Sequence, residues 1–227
     1  MEQIKSNGLS RRSFIAGTAA AGALAAFGLT GCGGGEETAS EGTPGEAKDL
    51  TCAVAYETKN FLPANNSSAL AVGSNWHVVE GLYELNMATY EPYAALAKDE
   101  PVKISDVEYE ITLRDGAAFS DGTPVTATDV AESYKRTVAP EGALYVSMLS
   151  FIEDIKAKDD TTVTVTLKHP FSLLKNRLSL VKVVPAAASD DVLTQKPVGS
   201  GPWVYQEITE SKINFVPNEH YTGQHPA

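Results

Sequence analysis

Residues 109–136, YEITLRDGAAFSDGTPVTATDVAESYKR, predict a complete supersecondary unit from local pattern alone. Apolar and polar residues alternate at its start, and a period of two is typical of a strand with one buried face. The apolar positions of this strand are Val107, Tyr109, Ile111 and Leu113. The chain must therefore form a sheet that covers one side of a core.

Two turns and a helix are predicted directly after this strand. Asp115-Gly116 and Asp121-Gly122 are typical turn dipeptides, because glycine adopts positive φ without steric cost. Thr126 is placed to cap the following helix, with Asp129 near the positive end of its dipole. The apolar face of that helix consists of Ala127, Val130, Ala131, Tyr134 and Val138. The unit is a strand, a double turn and a helix, which any α+β domain could use.

Length and charge narrow the classes of protein that the chain can belong to. The 227 residues suffice for one large or two small domains, and 43% hydrophobic and 21% charged residues are ordinary for a globular protein. The formal net charge of −11 argues against a nucleic-acid partner. The two cysteines are Cys32 and Cys52, and lipidation of the first would exclude an internal disulfide.

Two motifs of the chain resemble the solute-binding proteins of ABC importers, of the peptide, dipeptide and nickel type (extracellular solute-binding family 5). The first is FSDGTPVTA at residues 119–127, followed by Asp129-Val130, and the second is PVGSGPW at residues 197–203. Looser similarities are VEGLY at residues 79–83 and YEPYAALA at residues 90–97. The resemblance extends over nearly all of the chain after residue 50.

The sequence departs from the pattern of this family at two places. Residues 218–223, NEHYTG, resemble Asn-Pro-x-Tyr-Trp-Gly, but Glu219 and Thr222 replace the proline and the tryptophan. Residues 61–63, FLP, stand where the family has a Leu-Asp-Pro-like turn and lack the aspartate.

Residues 1–32 are predicted to be an export signal and a lipid anchor. Arg11 and Arg12 form a twin-arginine motif, and residues 15–29 are an apolar run shorter than the ~20 residues that a membrane span needs. The run ends in LTGC, which resembles a lipobox and predicts lipidation of Cys32. The alternative is an ordinary secretory signal with a coincidental cysteine. Residues 33–49, rich in Gly, Glu and Thr, are predicted to be a flexible linker.

The resemblance implies a fold and an extent for the remaining residues. Residues 50–227 are expected to form an α/β, mixed-sheet lobe of a two-lobed, periplasmic-binding-protein-like fold. The second lobe is expected to be missing, because family members continue into it beyond this point. A single lobe is expected to bind peptides weakly.

The resemblance also implies a function. The expected function is that of a substrate-binding lipoprotein, which captures a peptide or another small solute and delivers it to an ABC permease. The protein would be anchored by lipid to the outer face of the cytoplasmic membrane, in the periplasmic or extracellular space. No enzymatic activity, cofactor, metal or nucleic-acid partner is expected. The alternative function is that of a membrane-anchored interaction or structural lipoprotein that uses the same lobe without transport.

Four residues are candidates for ligand binding. Glu57 and Thr58 lie on the loop after the first predicted strand, which borders the ligand cleft in the family; a solvated loop is the alternative. Tyr145 lies near a position where family members place an aromatic residue at the cleft, and core packing is the alternative. Trp203 is the aromatic residue of the second motif.

Further elements follow from short patterns. Strands are predicted at residues 50–56, with Cys52 buried, and at 181–184. Helices are predicted at residues 69–85 and 172–180, a hairpin at 151–158 and 161–167, and a strand pair at 203–209 and 213–217. The four histidines, His77, His169, His220 and His225, do not have the spacing of a metal site.

Overall fold

The computed structural model describes residues 50–55, 57–139 and 143–223. The predicted export motif at Arg11 and Arg12, the lipidation site Cys32 and the linker 33–49 lie outside these residues. The described helices are α1 (Ala69–Val78), α2 (Ala127–Val138), α3 (Val146–Leu149), α4 (Leu174–Leu178) and α5 (Asp190–Gln195). The described strands are β1 (Tyr83–Leu85), β2 (Pro92–Ala94), β3 (Val102–Lys103), β4 (Glu108–Thr112), β5 (Ile152–Ala157), β6 (Thr162–Leu167), β7 (Trp203–Ile208) and β8 (Ile213–Pro217).

A four-stranded sheet with the order β3-β4-β6-β5 forms the centre of the larger core. Its strands pair antiparallel, with Ile111 opposite Val163 and Ile155 opposite Val165. Alternation places these valines and isoleucines on the buried face, while the threonines of β6 remain half-buried on the other. The structure confirms the strand predicted from Val107 to Leu113 and the hairpin predicted at residues 151–158 and 161–167.

Helix α2 covers the buried face of this sheet and begins where the sequence predicts. The Thr126 side chain accepts a hydrogen bond from the Asp129 backbone N–H, and the Asp129 carboxylate accepts one from the Thr126 N–H at 2.8 Å. This capping box satisfies two amides that the first helical turn leaves unpaired. The other Asp129 oxygen accepts from the backbone N–H of Ala186, which ties the helix start to the distant segment before α5.

A second, smaller core lies between α1 and the β7–β8 ribbon. It contains Phe61, Val78 and Tyr205, and the Tyr205 hydroxyl donates to Asn75 Oδ1 at 2.8 Å. The PVGSGP motif crosses the end of α1 here, and a Cβ on Gly199 would lie 2.1 Å from the carbonyl oxygen of Val78. Only glycine permits this close approach, which explains the motif by packing.

Three predicted elements differ from the structure. Residues 50–55 form no strand and are exposed, as is Cys52, because an apolar run becomes a strand only where a neighbour pairs with its backbone. Helix α1 ends at Val78, because Val79 is extended, and residues 83–85 form β1, which pairs with β2. Residues 181–184 contribute an isolated bridge at Lys182, and no described strand includes them.

Candidate ligand-binding site

An open pocket of about 420 Å³ lies beside the junction of α1 and β1. We call it the Glu84 pocket. Its lining combines carboxylates, one guanidinium and several aromatic side chains. The lining residues are Trp76, His77, Glu80, Glu84, Tyr93, Ala94, Ala95, Arg114, Pro202, Tyr221 and Gly223.

Local backbone structure brings these residues together. The last turn of α1 supplies Trp76 and His77, and the extended residue Val79 then directs the chain toward β1. Tyr93 of β2 pairs directly with Glu84 of β1, so their side chains share one face of the ribbon. Arg114 follows β4, and its backbone N–H donates to the Leu96 carbonyl just after β2.

A buried ion pair forms one wall of the pocket. Arg114 Nη1 lies 3.0 Å from Glu80 Oε1, and Arg114 Nη2 lies 2.8 Å from Glu80 Oε2. The two side chains are 13% and 9% exposed. This two-pronged geometry matches a planar guanidinium to a planar carboxylate and fixes the orientation of both.

Arg114 also holds the last described segment of the chain. Its Nη1 donates to the Ala95 carbonyl, and its Nε lies 3.3 Å from Thr222 Oγ1. Its guanidinium carbon lies 5.5 Å from the ring centroid of Tyr221, which is a cation–π distance. One side chain therefore joins the segment between α1 and β1, the segment after β2, and residues 221–222.

A second ion pair lies on the Glu84 side. Lys182 Nζ and the Gly81 backbone N–H both donate to Glu84 Oε1, the latter at 2.7 Å. The Lys182 and Glu84 side chains are 11% and 17% exposed. The isolated bridge between Gly81 and Lys182 brings this lysine to Glu84 from a segment about 100 residues away, so the pair depends on tertiary structure.

Burial controls the protonation of these groups. Removal from water raises the pKa of Glu80 above its usual value, although the Arg114 guanidinium opposes that shift. Burial, reinforced by the Glu80 charge, raises the pKa of Tyr221 to about 12. Burial together with Glu84 and Glu80 also raises the pKa of Tyr93. Both phenols therefore keep their protons at neutral pH and can donate hydrogen bonds.

The four residues predicted from the sequence lie elsewhere. Glu57 is exposed, and Thr58 is half-buried with its hydroxyl 3.1 Å from the Asn60 backbone nitrogen. Tyr145 packs half-buried against the larger core, where burial raises its pKa. Trp203 is 36% exposed at the start of β7. None of these four lines the Glu84 pocket, so their part in ligand binding stays a prediction.

Sequence reasoning missed the charged residues of the pocket, although one signal was present. Glu80 stands within the apolar run VVEGLY, and a carboxylate inside such a run is usually paired when it is buried. Nothing in the local sequence identifies Arg114 as the partner of Glu80 or Lys182 as the partner of Glu84, because these contacts join residues 34 and 98 positions apart.

Two searches of the described residues gave negative results. No group of three or more His, Cys, Asp or Glu side chains in residues 50–55, 57–139 and 143–223 is placed to hold a metal ion. In the same ranges, no helix has both the length and the apolar character needed to cross a membrane.

Solved structures with the same arrangement of helices and strands are solute-binding proteins. The Listeria monocytogenes protein OppA, solved with a bound peptide, is 26% identical with a TM-score of 0.65. The match covers 72% of this chain and 37% of that chain. The fold is therefore that of part of a solute-binding protein, and the α/β lobe predicted from the sequence is confirmed.

Sequence comparison identifies the family. Residues 91–227 match the family described as bacterial extracellular solute-binding proteins, family 5 Middle. The protein XP55 of Streptomyces lividans is 34% identical over 95% of this chain and 40% of its own length. The glutathione-binding protein GsiB of Escherichia coli strain K12 is 30% identical over 78% of this chain and 35% of its own length. The chain belongs to family 5 of the bacterial extracellular solute-binding proteins and spans about 40% or less of the length of these relatives.

Proposed function

We propose that this protein is part of the substrate-binding component of an ABC importer and binds a peptide or a similar small solute. The family membership of residues 91–227 supports this proposal most directly. The similarity to OppA, which was solved with a bound peptide, favours a peptide over other solutes. The described fold presents a pocket with polar groups between aromatic walls, which is the usual character of a small-ligand site.

The proposal includes a location and a route of export. Arg11 and Arg12 would direct twin-arginine export, and lipidated Cys32 would hold the protein at the outer face of the cytoplasmic membrane. Residues 33–49 would then act as a tether of low complexity between the anchor and the folded lobe. Such a tether lets the lobe reach a permease in the same membrane.

Glu57, Thr58, Tyr145 and Trp203 remain the proposed ligand contacts outside the Glu84 pocket. Tyr145 is the best of these to test, because it is half-buried and a change to phenylalanine preserves its packing. The hydroxyl alone is then removed. Tyr90, which is 67% exposed, provides the matched control in the variant Tyr90→Phe.

Isothermal titration of the chain with di- to pentapeptides, up to millimolar concentrations, tests the proposal. We expect saturable binding that Tyr145→Phe weakens and Tyr90→Phe leaves unchanged. A parallel experiment measures the uptake of labelled peptide by host cells with and without the gene. A folded, membrane-anchored protein with neither peptide binding nor an effect on uptake would instead support the alternative, an interaction or structural lipoprotein.

A further inference from the structure

The Glu84 pocket has two charge pairs that are complete without a ligand. Glu80 is held by Arg114, and Glu84 is held by Lys182. All four side chains are 17% exposed or less. A charged ligand group would enter this half-desolvated space without a partner of its own, at a cost in free energy.

The pocket nevertheless offers hydrogen-bonding capacity to an uncharged group. Within the described residues, the hydrogen bonds of Glu84 end on Oε1, which leaves Oε2 as an acceptor at the pocket. The Tyr93 hydroxyl makes no hydrogen bond to any of the described residues, and its raised pKa keeps it protonated. A ligand group that both donates and accepts, such as an amide, matches these two atoms.

Aromatic surface flanks these polar atoms. Trp76 is 48% exposed and Tyr93 is 52% exposed, so both rings can contact a ligand without leaving a core. Neither ring takes part in the stacking contacts found among the described aromatic residues. Exposed aromatic rings beside fixed polar groups favour planar groups such as amides.

We infer that the Glu84 pocket binds an uncharged amide-bearing side chain of a peptide, such as that of glutamine or asparagine, between Trp76 and Tyr93. The amide N–H₂ donates to Glu84 Oε2, and the Tyr93 hydroxyl donates to the amide oxygen. This inference rests on the proposed function and names the side-chain class that the pocket selects. Because both carboxylates are already paired, the pocket offers no unpaired counter-charge and disfavours basic and acidic side chains relative to an amide.

Trp76 can report on its own pocket. The chain has two tryptophans, so Trp203→Phe leaves Trp76 as the single tryptophan and keeps an aromatic ring at position 203. Because Trp203 is itself a proposed ligand contact, calorimetry compares this background with wild type. The probes are alanine tripeptides in which one residue, at each position in turn, is glutamine, lysine or glutamate. Fluorescence titration follows the pocket, and calorimetry of the same mixtures follows binding anywhere on the chain.

We expect a saturable change in Trp76 fluorescence with a glutamine probe. The affinity for this probe should be at least about fivefold higher than for the lysine or glutamate probes. Tyr93→Phe removes one hydrogen bond and should weaken the glutamine probe about fivefold, while Tyr90→Phe should not. Glu84→Gln leaves the Lys182 charge unpaired and should shift the preference toward the glutamate probe. Circular dichroism of each variant confirms that it is folded.

Each of four outcomes would overturn the inference. Equal fluorescence responses to the three side chains would remove the selectivity. An unchanged affinity in folded Tyr93→Phe would remove the proposed hydrogen bond. Calorimetric binding without a Trp76 response would place the ligand elsewhere and leave the proposed function intact, whereas the absence of both signals would count against both proposals.

Discussion

Both carboxylate oxygens of Glu80 accept hydrogen bonds from the guanidinium of Arg114, although 34 residues separate the two in sequence. The pair joins the chain after α1 to the turn after β4, and Arg114 extends the connection to Thr222. Three segments with no local reason to meet are thereby fixed in one arrangement. Both charges lose hydration on burial, so the pair adds little net stability, but either charge left alone in this place would be strongly unfavourable.

Removal of one partner should therefore be costly. Arg114→Leu leaves the Glu80 carboxylate buried without a counter-charge, and we expect a loss of about 3–5 kcal/mol in the free energy of unfolding. Urea denaturation followed by circular dichroism measures it. Lys103→Ala is the matched control, because its ion pair with Asp106 lies on the surface and should not shift the midpoint. Equal midpoints for the two variants would contradict the structural role assigned to Arg114.

The raised pKa of Glu80 sets the sign of its pH dependence. The folded protein holds this proton more tightly than the unfolded chain, so the contribution of Glu80 to stability is greatest below the unfolded pKa of about 4.3. It declines as pH rises through the folded pKa. The unfolding free energy of wild type should therefore fall relative to that of Glu80→Gln as pH rises from 4 to neutrality. A wild type that instead gains stability relative to Glu80→Gln over this range would show that Arg114 outweighs desolvation; the exposed Glu91→Gln provides the control.

The supersecondary unit at residues 107–138 could be predicted because local rules determine it. Alternation gave the strand, and the Thr126–Asp129 capping box marked the helix start, which the structure confirms. The extent of α1 was predicted wrongly, because residues 83–85 form a strand through their contact with residues 92–94, outside the predicted helix. Periodicity within residues 69–85 carries no information about that contact.

The pocket could not be predicted for a related reason. Its ion pairs join residues that are distant in sequence, and Lys182 stands in a segment that appears locally as a buried strand. The residues inferred from the family resemblance, such as Tyr145 and Trp203, were selected by motif position. A motif identifies residues that relatives share, but it does not show which charges this chain buries together.

The glycine at position 199 offers a test of the packing explanation for the PVGSGP motif. A Cβ at this position would lie 2.1 Å from the Val78 carbonyl oxygen, so Gly199→Ala must displace the end of α1. We expect a destabilisation of about 1–3 kcal/mol or more. Gly73 lies within α1, where an added Cβ would meet no neighbouring segment within 4 Å. Gly73→Ala should therefore stabilise the protein by about 0.5–1 kcal/mol. Thermal denaturation measures the stability of both variants. An unchanged melting temperature for Gly199→Ala would contradict the packing explanation.

Export should depend on the twin arginines. Replacement of both Arg11 and Arg12 by lysine conserves charge but removes the pair that the export pathway recognises. We expect the precursor to accumulate in the cytoplasm, as measured by fractionation and immunoblotting. Lys5→Ala, outside the motif, should be exported normally. Normal export of the double lysine variant through the same pathway would mean that a different signal directs this protein.

Membrane attachment should depend on Cys32 alone. The thiol of Cys32 is the proposed site of lipidation, and stable anchoring requires more than one acyl chain, which a lipidated and amino-acylated cysteine provides. Cys32→Ala should therefore move the exported protein from the membrane fraction to the soluble fraction. Cys52→Ala is the matched control, because Cys52 is exposed in the folded lobe and lies outside the lipobox, so this variant should remain attached. A high-salt wash before sedimentation removes protein held only by charge. If Cys32→Ala still sediments with membranes after that wash, the protein is held by something other than a lipid on this cysteine.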